Sequence, residues 1–216
     1  MDSQLAQTVV FYAFLVIAAL ISLTIHEFAH AWTALKFGDT TAYEAGRVSL
    51  NPLVHIDPVG LLCMFLVGFG WAKPTPVNPS RLNHPRADLI VSAVGPLSNF
   101  ALAFAVGVFI RLQPVSSALE RMGMLVGAQL LVMLLVQMNI ALAVFNFLPI
   151  GPLDGSHVVR NLLPPSAAAR FERFNHVYGS RLLLILLILG RFTNSSPLDW
   201  ILGPAVAYFT TLILGS

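Results

Sequence analysis

Hydrophobic and polar positions fall into long blocks rather than a helical or strand period. From about Val9 to Phe37 the chain is nearly all apolar. Roughly 20 apolar residues suffice to cross a bilayer, so this block predicts a first span. Gly38 and Asp39 end it. Blocks from about Asp88 to Ile110 and from about Met122 to Leu148 predict a second and a third span. Two shorter blocks, about Tyr178–Phe192 and Leu198–Leu214, read as a fourth and fifth span or as a shallow hairpin, with a turn from Arg191 to Pro197 between them. The stretch from Thr40 to Pro85 is irregular and rich in Pro and Gly. Within it Tyr43–Leu50 reads as a short strand closed by Asn51-Pro52. Val59–Gly70 is too short to span and reads as re-entrant or interfacial. The prolines at 74, 76 and 79 make Trp71–Pro79 extended. Pro149, Gly151, Pro152 and Gly155 break the third span before Asp154, and Ser156–Gly179 reads as interfacial and partly helical.

The pattern predicts an all-α membrane protein: a polytopic bundle of about five to six transmembrane or re-entrant segments. A short β-like cytoplasmic or interfacial region accompanies it, and the whole of 1–216 forms one domain. Composition agrees. The chain is 56% hydrophobic and 10% charged, with mean hydropathy +0.78, whereas soluble domains are about a quarter charged. No basic block interleaved with aromatics appears, which argues against nucleic acid as a partner. Cys63 is the single cysteine, so neither an internal disulfide nor a thiolate metal cluster can form. The first block lacks a basic leader and a cleavage site, and is read as a retained span. Basic residues set the orientation. Lys36, Arg47, Lys73, Arg81 and Arg86 lie in one loop region, and Arg160, Arg170, Arg173 and Arg181 follow Asp154. Only Arg111, Arg121 and Arg191 lie on the opposite side. The positive-inside rule puts both loop regions in the cytoplasm and the N-terminus outside, in a multi-pass cell-membrane protein.

Chemistry enters through His26-Glu27-Phe28-Ala29-His30, toward the cytoplasmic end of the first span. Two His four residues apart share a helix face and can grip one metal ion. Groups that can carry charge are expensive in hydrocarbon, so each needs a partner or a task. A hydrolytic zinc keeps three protein ligands and one open position. Asp154 is the best candidate for the third ligand, because it lies in a broken-helix segment at a similar predicted depth. Water at such a centre has its pKa lowered toward about 7, and Glu27 can take its proton and deliver it to a leaving amine. Other readings stay open: a hydrogen-bonded helix-packing cluster without metal, a metal-handling or transport protein, or a catalytically idle scaffold.

These residues, with Gly95-Pro96-Leu97-Ser98-Asn99 and the run from Asn146 to Leu153-Asp154-Gly155, resemble the site-2 protease family of intramembrane zinc metalloproteases, peptidase family M50. Gly46–Pro58 and Gly70–Pro74 share the likeness, which covers the chain from the first span to Val159 and is closest to compact members without a PDZ insert. The resemblance implies one Zn²⁺ per chain bound by His26, His30 and Asp154, with Glu27 as catalytic base. It also implies a zinc metalloendopeptidase in the lipid bilayer that cuts membrane-protein or membrane-peptide substrates in or near a transmembrane segment. Gly151 departs from the family pattern, in which proline is more frequent, and loosens the turn before Asp154.

Asn146 could orient substrate backbone or stabilise an oxyanion, or equally form a helix–helix hydrogen bond. Asn99 reads chiefly as a tie between helices, with a place in the cleft as the alternative. His55 and Asp57 read chiefly as loop-turn residues, with contact to the site's ligands as the alternative; His84, His157 and His176 read as interfacial, with the same alternative for His157, which is close to Asp154; Cys63 reads as packing. Substrate identity and oligomeric state are not legible. A helical substrate hides its carbonyls, so cleavage needs an extended segment, and the stretches Tyr43–Leu50 and Trp71–Val77 offer edges for strand addition. Helix-stabilising substitutions around the cleavage region of a model substrate are therefore expected to slow its cleavage, read by the initial rate across a Gly-to-Ala series.

Overall fold

The computed structural model describes residues 3–67, 70–192 and 197–215. They form α1 (Ser3–Lys36), α2 (Thr41–Glu44), α3 (Pro58–Val67), α4 (Ala87–Arg111), α5 (Gln113–Arg121) and α6 (Leu125–Asn146), then α7 (Asp154–Leu162), α8 (Pro165–Phe174), α9 (Ser180–Phe192) and α10 (Pro197–Leu214). A π turn at Asn175–Gly179 joins α8 to α9. Four helices among the described residues are long and apolar enough to cross a membrane: α1 from Gln4, α4, α6 and α10. The protein is thus an all-α membrane protein. The 13 residues of α9 rise about 20 Å, short of a hydrocarbon core about 30 Å thick. Of the two C-terminal apolar blocks, only α10 therefore has span length. The turn expected between them falls on residues 193–196, outside the described residues.

The chain packs as two units. One comprises Met1–Ser22, Asn99–Phe145 and Leu186–Ser216. Its core is Ala103, Val136, Ile140 and Ile213, with Phe100 and Phe209 packed against them, and a second cluster gathers Ala18, Leu134 and Leu135. A buried polar node ties α1, α4 and α6 inside this unit. Asn99 Nδ2 donates to the Ser22 carbonyl (3.0 Å) and to Asn139 Oδ1 (2.7 Å), and Asn139 Nδ2 donates to Ser22 Oγ (2.7 Å). Lipid offers no water to satisfy such groups, so side chains on neighbouring helices satisfy one another.

The other unit comprises Leu23–Ser98 and Asn146–Ile185. The end of α1 is sharp. Gly38 adopts φ +92°, and the Asp39 and Gly38 N–H groups donate back to the Ala34 and Leu35 carbonyls. This is the 6→1 and 5→2 pattern of a Schellman cap. Asp39 is then buried and organises the connection that follows. Its Oδ1 accepts from the Thr41 N–H (3.0 Å) and hydroxyl (2.5 Å), and its Oδ2 accepts from the Asn78 N–H (2.6 Å). Local capping corrects one expectation. Where a strand over Tyr43–Leu50 was predicted, Thr41–Glu44 form α2 and Gly46 at φ +68° closes it, with the Gly46 and Arg47 N–H groups donating back to the Tyr43 and Ala42 carbonyls, so these backbone groups are spent locally rather than in a strand. The β pairing among the described residues lies elsewhere, as one antiparallel bridge between Ile56 and Ala72. The Lys73 N–H donates to the His55 carbonyl beside it. Buried Arg47 donates to the Lys73 carbonyl and lies 3.3 Å from His55 Nδ1, while His55 Nε2 lies 2.8 Å from the Ser49 carbonyl oxygen. Asp57 caps α3 through the N–H groups of Val59 and Gly60. His55 and Asp57 are therefore bound into the loop.

Burial pushes the Asp39 carboxyl up, but the Thr41 hydroxyl and the Asn78 and Thr41 amides outweigh it and hold the group below its usual value. A carboxyl lowered in the folded state stabilises the fold above its unfolded pKa, and the contribution is lost as pH falls through the folded value. Asp39→Ala is expected to cost about 2–3 kcal/mol near neutral pH. Thermal denaturation of the solubilised protein should show this deficit shrinking as the pH is lowered into the acid range.

Candidate metal centre

Helix α1 sets His26 and His30 one turn apart on one face, with ring centroids 4.7 Å apart. The third donor arrives from the start of α7. Asp154 Oδ2 lies 3.2 Å from His26 Nε2 and 3.4 Å from His30 Nε2, and the two Nε2 atoms are 3.1 Å apart. A tetrahedral ion bound at about 2.0–2.1 Å separates its donors by about 3.3 Å, so the three atoms match one face of that tetrahedron. Asp154 Oδ2 is buried, and no hydrogen bond of good geometry reaches it. An orphaned carboxylate oxygen facing two converging imidazoles is what a divalent cation would satisfy. Burial pushes the Asp154 carboxyl up, but the His26 and His30 side chains more than offset this and hold it far below the usual carboxylate range. The oxygen is thus an anionic donor near neutral pH.

The surroundings orient these donors. His30 Nδ1 lies 2.7 Å from the Val91 carbonyl of α4, which accepts its N–H and leaves Nε2 with its lone pair toward Asp154. The imidazoles also require Gly95: a Cβ there would lie 2.2 Å from His30 Nε2 and 2.8 Å from His26 Cε1. Gly155 plays the matching part on the other side, since a Cβ would lie 2.3 Å from the Phe147 carbonyl oxygen. The loop can therefore fold back on itself and point Asp154 at α1. Farther along α7, Arg160 bridges Asp88 of α4 and Glu172 of α8, and Asn161 Nδ2 donates to Asp88 (2.7 Å). The helix that carries the carboxylate is thus tied to the helix that receives the imidazoles.

Glu27 is buried beside the histidines, and its Oε2 accepts the Thr75 N–H at 2.7 Å. The Thr75 hydroxyl donates to the Glu27 carbonyl at 3.1 Å. Extended backbone thus lies directly on this carboxylate. Nothing in the sequence pairs Thr75 with Glu27, because the contact depends on how the Pro-rich stretch returns to α1. The remaining candidates lie outside the three-donor group. Asn99 commits its amide to Ser22 and Asn139, and Asn146 ends α6, half-buried. The His84 ring lies tilted beside Phe37, while exposed His157 borders a cavity with His176. Cys63 is half-buried on α3.

Comparison with known proteins places this geometry in context. The model of peptidase family M50 matches residues 14–189. The chain is 40% identical over 177 residues to the "Putative zinc metalloprotease YwhC" of Bacillus subtilis, which covers 81% of this chain and 80% of that protein. It is 40% identical over 95 residues to the "Putative zinc metalloprotease Rip2" of Mycolicibacterium smegmatis, covering 41% of this chain and 37% of the relative. With Rip2 of Mycobacterium tuberculosis H37Rv it shares 32% identity over 180 residues, 78% of this chain and 64% of the relative. No solved structure matches. A methyl group at position 95 is expected to push the imidazoles apart, so Gly95→Ala should weaken metal retention about tenfold or more, measured by metal content after dialysis against a chelator.

Proposed function

The chain belongs to peptidase family M50, and from that premise we propose that it is an intramembrane zinc metalloendopeptidase. The observation that carries the reading is the convergence of His26, His30 and Asp154 beside a buried Glu27. Zinc fits the donor set of two imidazole nitrogens and one carboxylate oxygen. When bound, it supplies Lewis acidity toward a scissile carbonyl and lowers the pKa of water at the site.

The rest of the chemistry belongs to the chain. Glu27 accepts a proton from the attacking water and hands it to the leaving amine. The Thr75 N–H holds Glu27 Oε2 in place, so the base keeps one orientation through both transfers. Val91 holds His30 in the tautomer that leaves Nε2 as a donor. Asp154 balances part of the cation's charge in a site that largely excludes water.

Peptide hydrolysis needs the substrate extended, and Trp71–Val77 supports a docking mode. It holds the Ala72 bridge and lies against Glu27 through Thr75, so a substrate strand added alongside would bring its carbonyl near the base. The other edge expected from the sequence, Tyr43–Leu50, drops out of this reading because α2 ends at Glu44 and the chain then turns through Gly46, with no strand pairing over 45–50 among the described residues. The substrate class is a membrane protein or membrane peptide cut in or near its transmembrane segment. The excess of Lys and Arg in the two loop regions supports an active site toward the cytoplasm in a multi-pass protein, with the N-terminus outside.

Glu27→Gln tests the assignment. The purified variant should keep one zinc per chain and lose cleavage of a model membrane substrate by at least about a hundredfold. Wild-type protein that binds no zinc, or a Glu27→Gln variant that cleaves at the wild-type rate, overturns the reading.

A further inference from the structure

The loop that delivers Asp154 has weak means of its own to hold a position. Among the described residues, the bonds within the stretch between α6 and α7 are short-range ones: Ile150 N–H to the Leu148 carbonyl, Leu153 N–H to the Ile150 carbonyl, and the Ser156 N–H and Oγ to the Leu153 carbonyl. An open cavity of about 410 Å³ borders Pro152, Ser156 and Asn175, so packing alone does not clamp this side. Gly151, between prolines at 149 and 152, gives this stretch a backbone N–H that a proline would lack.

We propose that Asn175, in the π turn between α8 and α9, is a positioning residue for the Asp154 ligand, and that it acts through the N–H that Gly151 provides. The inference rests on the reading of Asp154 as a metal ligand. Asn175 Oδ1 accepts the Gly151 N–H at 2.7 Å, and its Nδ2 donates to the Phe171 carbonyl of α8 at 3.3 Å. The amide thus bridges a regular helix to the loop three residues before Asp154. Gly179 ends the same π turn and meets the same loop residue: a Cβ there would lie 2.6 Å from the Gly151 carbonyl oxygen and 3.0 Å from its nitrogen. A π turn widens the helix locally and is frequent at functional sites. Here the five residues Asn175–Gly179 bring one polar side chain and one bare Cα against the backbone of a single residue, Gly151. The loop is therefore fixed on its N-terminal side by Asn175, and α7 is fixed on its far side by Arg160 and Asp88. Position 151 and position 175 form one device: a proline at 151 has no N–H to give, and its ring would occupy the space that the Asn175 oxygen fills.

Competition for zinc between a chelator and the purified full-length protein tests this, with helical content and thermal midpoint followed in parallel. Asn175→Ala should weaken zinc binding about tenfold, while Asn175→Asp, which keeps an acceptor for the Gly151 N–H, should stay within about threefold of wild type. Gly151→Pro should also weaken binding. In that background Asn175→Ala should cost nothing further or restore affinity, because it removes the oxygen the ring would meet. Asp154→Ala serves as the reference. If it leaves zinc affinity unchanged, the metal-site reading fails with everything built on it. If it weakens zinc but Asn175→Ala does not, or if the Gly151 and Asn175 effects simply add, only the positioning role falls. Equal losses for Ala and Asp at 175 would likewise overturn it.

Discussion

Three lone-pair donors crowded within a few ångströms of one another, in a largely dehydrated place, are the constraint on which the rest of this structure depends. Two imidazole nitrogens and a carboxylate oxygen sit 3.1–3.4 Å apart. Left to themselves, buried polar groups pair with hydrogen-bond donors. Here the carboxylate oxygen has none, and one imidazole gives its N–H to a backbone carbonyl that turns its other nitrogen inward. A buried carboxylate oxygen without a hydrogen-bond donor, beside imidazole nitrogens turned toward it, is an arrangement that a cation completes.

Keeping that crowd together requires close approach of backbone from both sides. Gly95 brings α4 against the imidazoles, and Gly155 lets the Asp154 loop fold onto the Phe147 carbonyl. Polar ties then set the aim. Arg160 joins α7 to α4 and α8, Asn175 holds the loop at Gly151, and Thr75 holds Glu27. Most of these ties lie in the connections rather than in the middle of the spans. Ordering a loop costs conformational entropy, and charge-assisted or buried hydrogen bonds are the local means of offsetting it. The other unit solves a different problem with the same kind of amide hydrogen bond: Asn99, Asn139 and Ser22 satisfy one another where α1, α4 and α6 cross.

The long apolar blocks were legible as helices because length and composition alone decide whether a segment can cross lipid, and α1, α4, α6 and α10 follow them closely. His26 and His30 were legible as a pair because helical periodicity puts them on one face. Asp154 could be nominated because prolines and glycines break the third span just before it. The sequence was least informative in short segments. In Tyr43–Leu50 the residues favoured a strand, but α2 ends at Glu44 and Gly46 turns the backbone back on it. Tyr178–Phe192 was legible as apolar, but not as either a span or a shallow hairpin, and after the π turn α9 holds 13 residues.

What the chain determined by itself is local and additive: which stretches enter lipid, where helices stop, and which side chains share a helix face. Those properties depend on residues within a turn or a span of each other. Tertiary structure decided everything that joins distant segments: the distance from Asp154 to the imidazoles, the seat of Thr75 on Glu27, the burial of Asn99 in a helix crossing, and the hold of Asn175 on Gly151. Such contacts turn on ångström-scale registry between elements far apart in sequence, and no periodicity or composition carries that information.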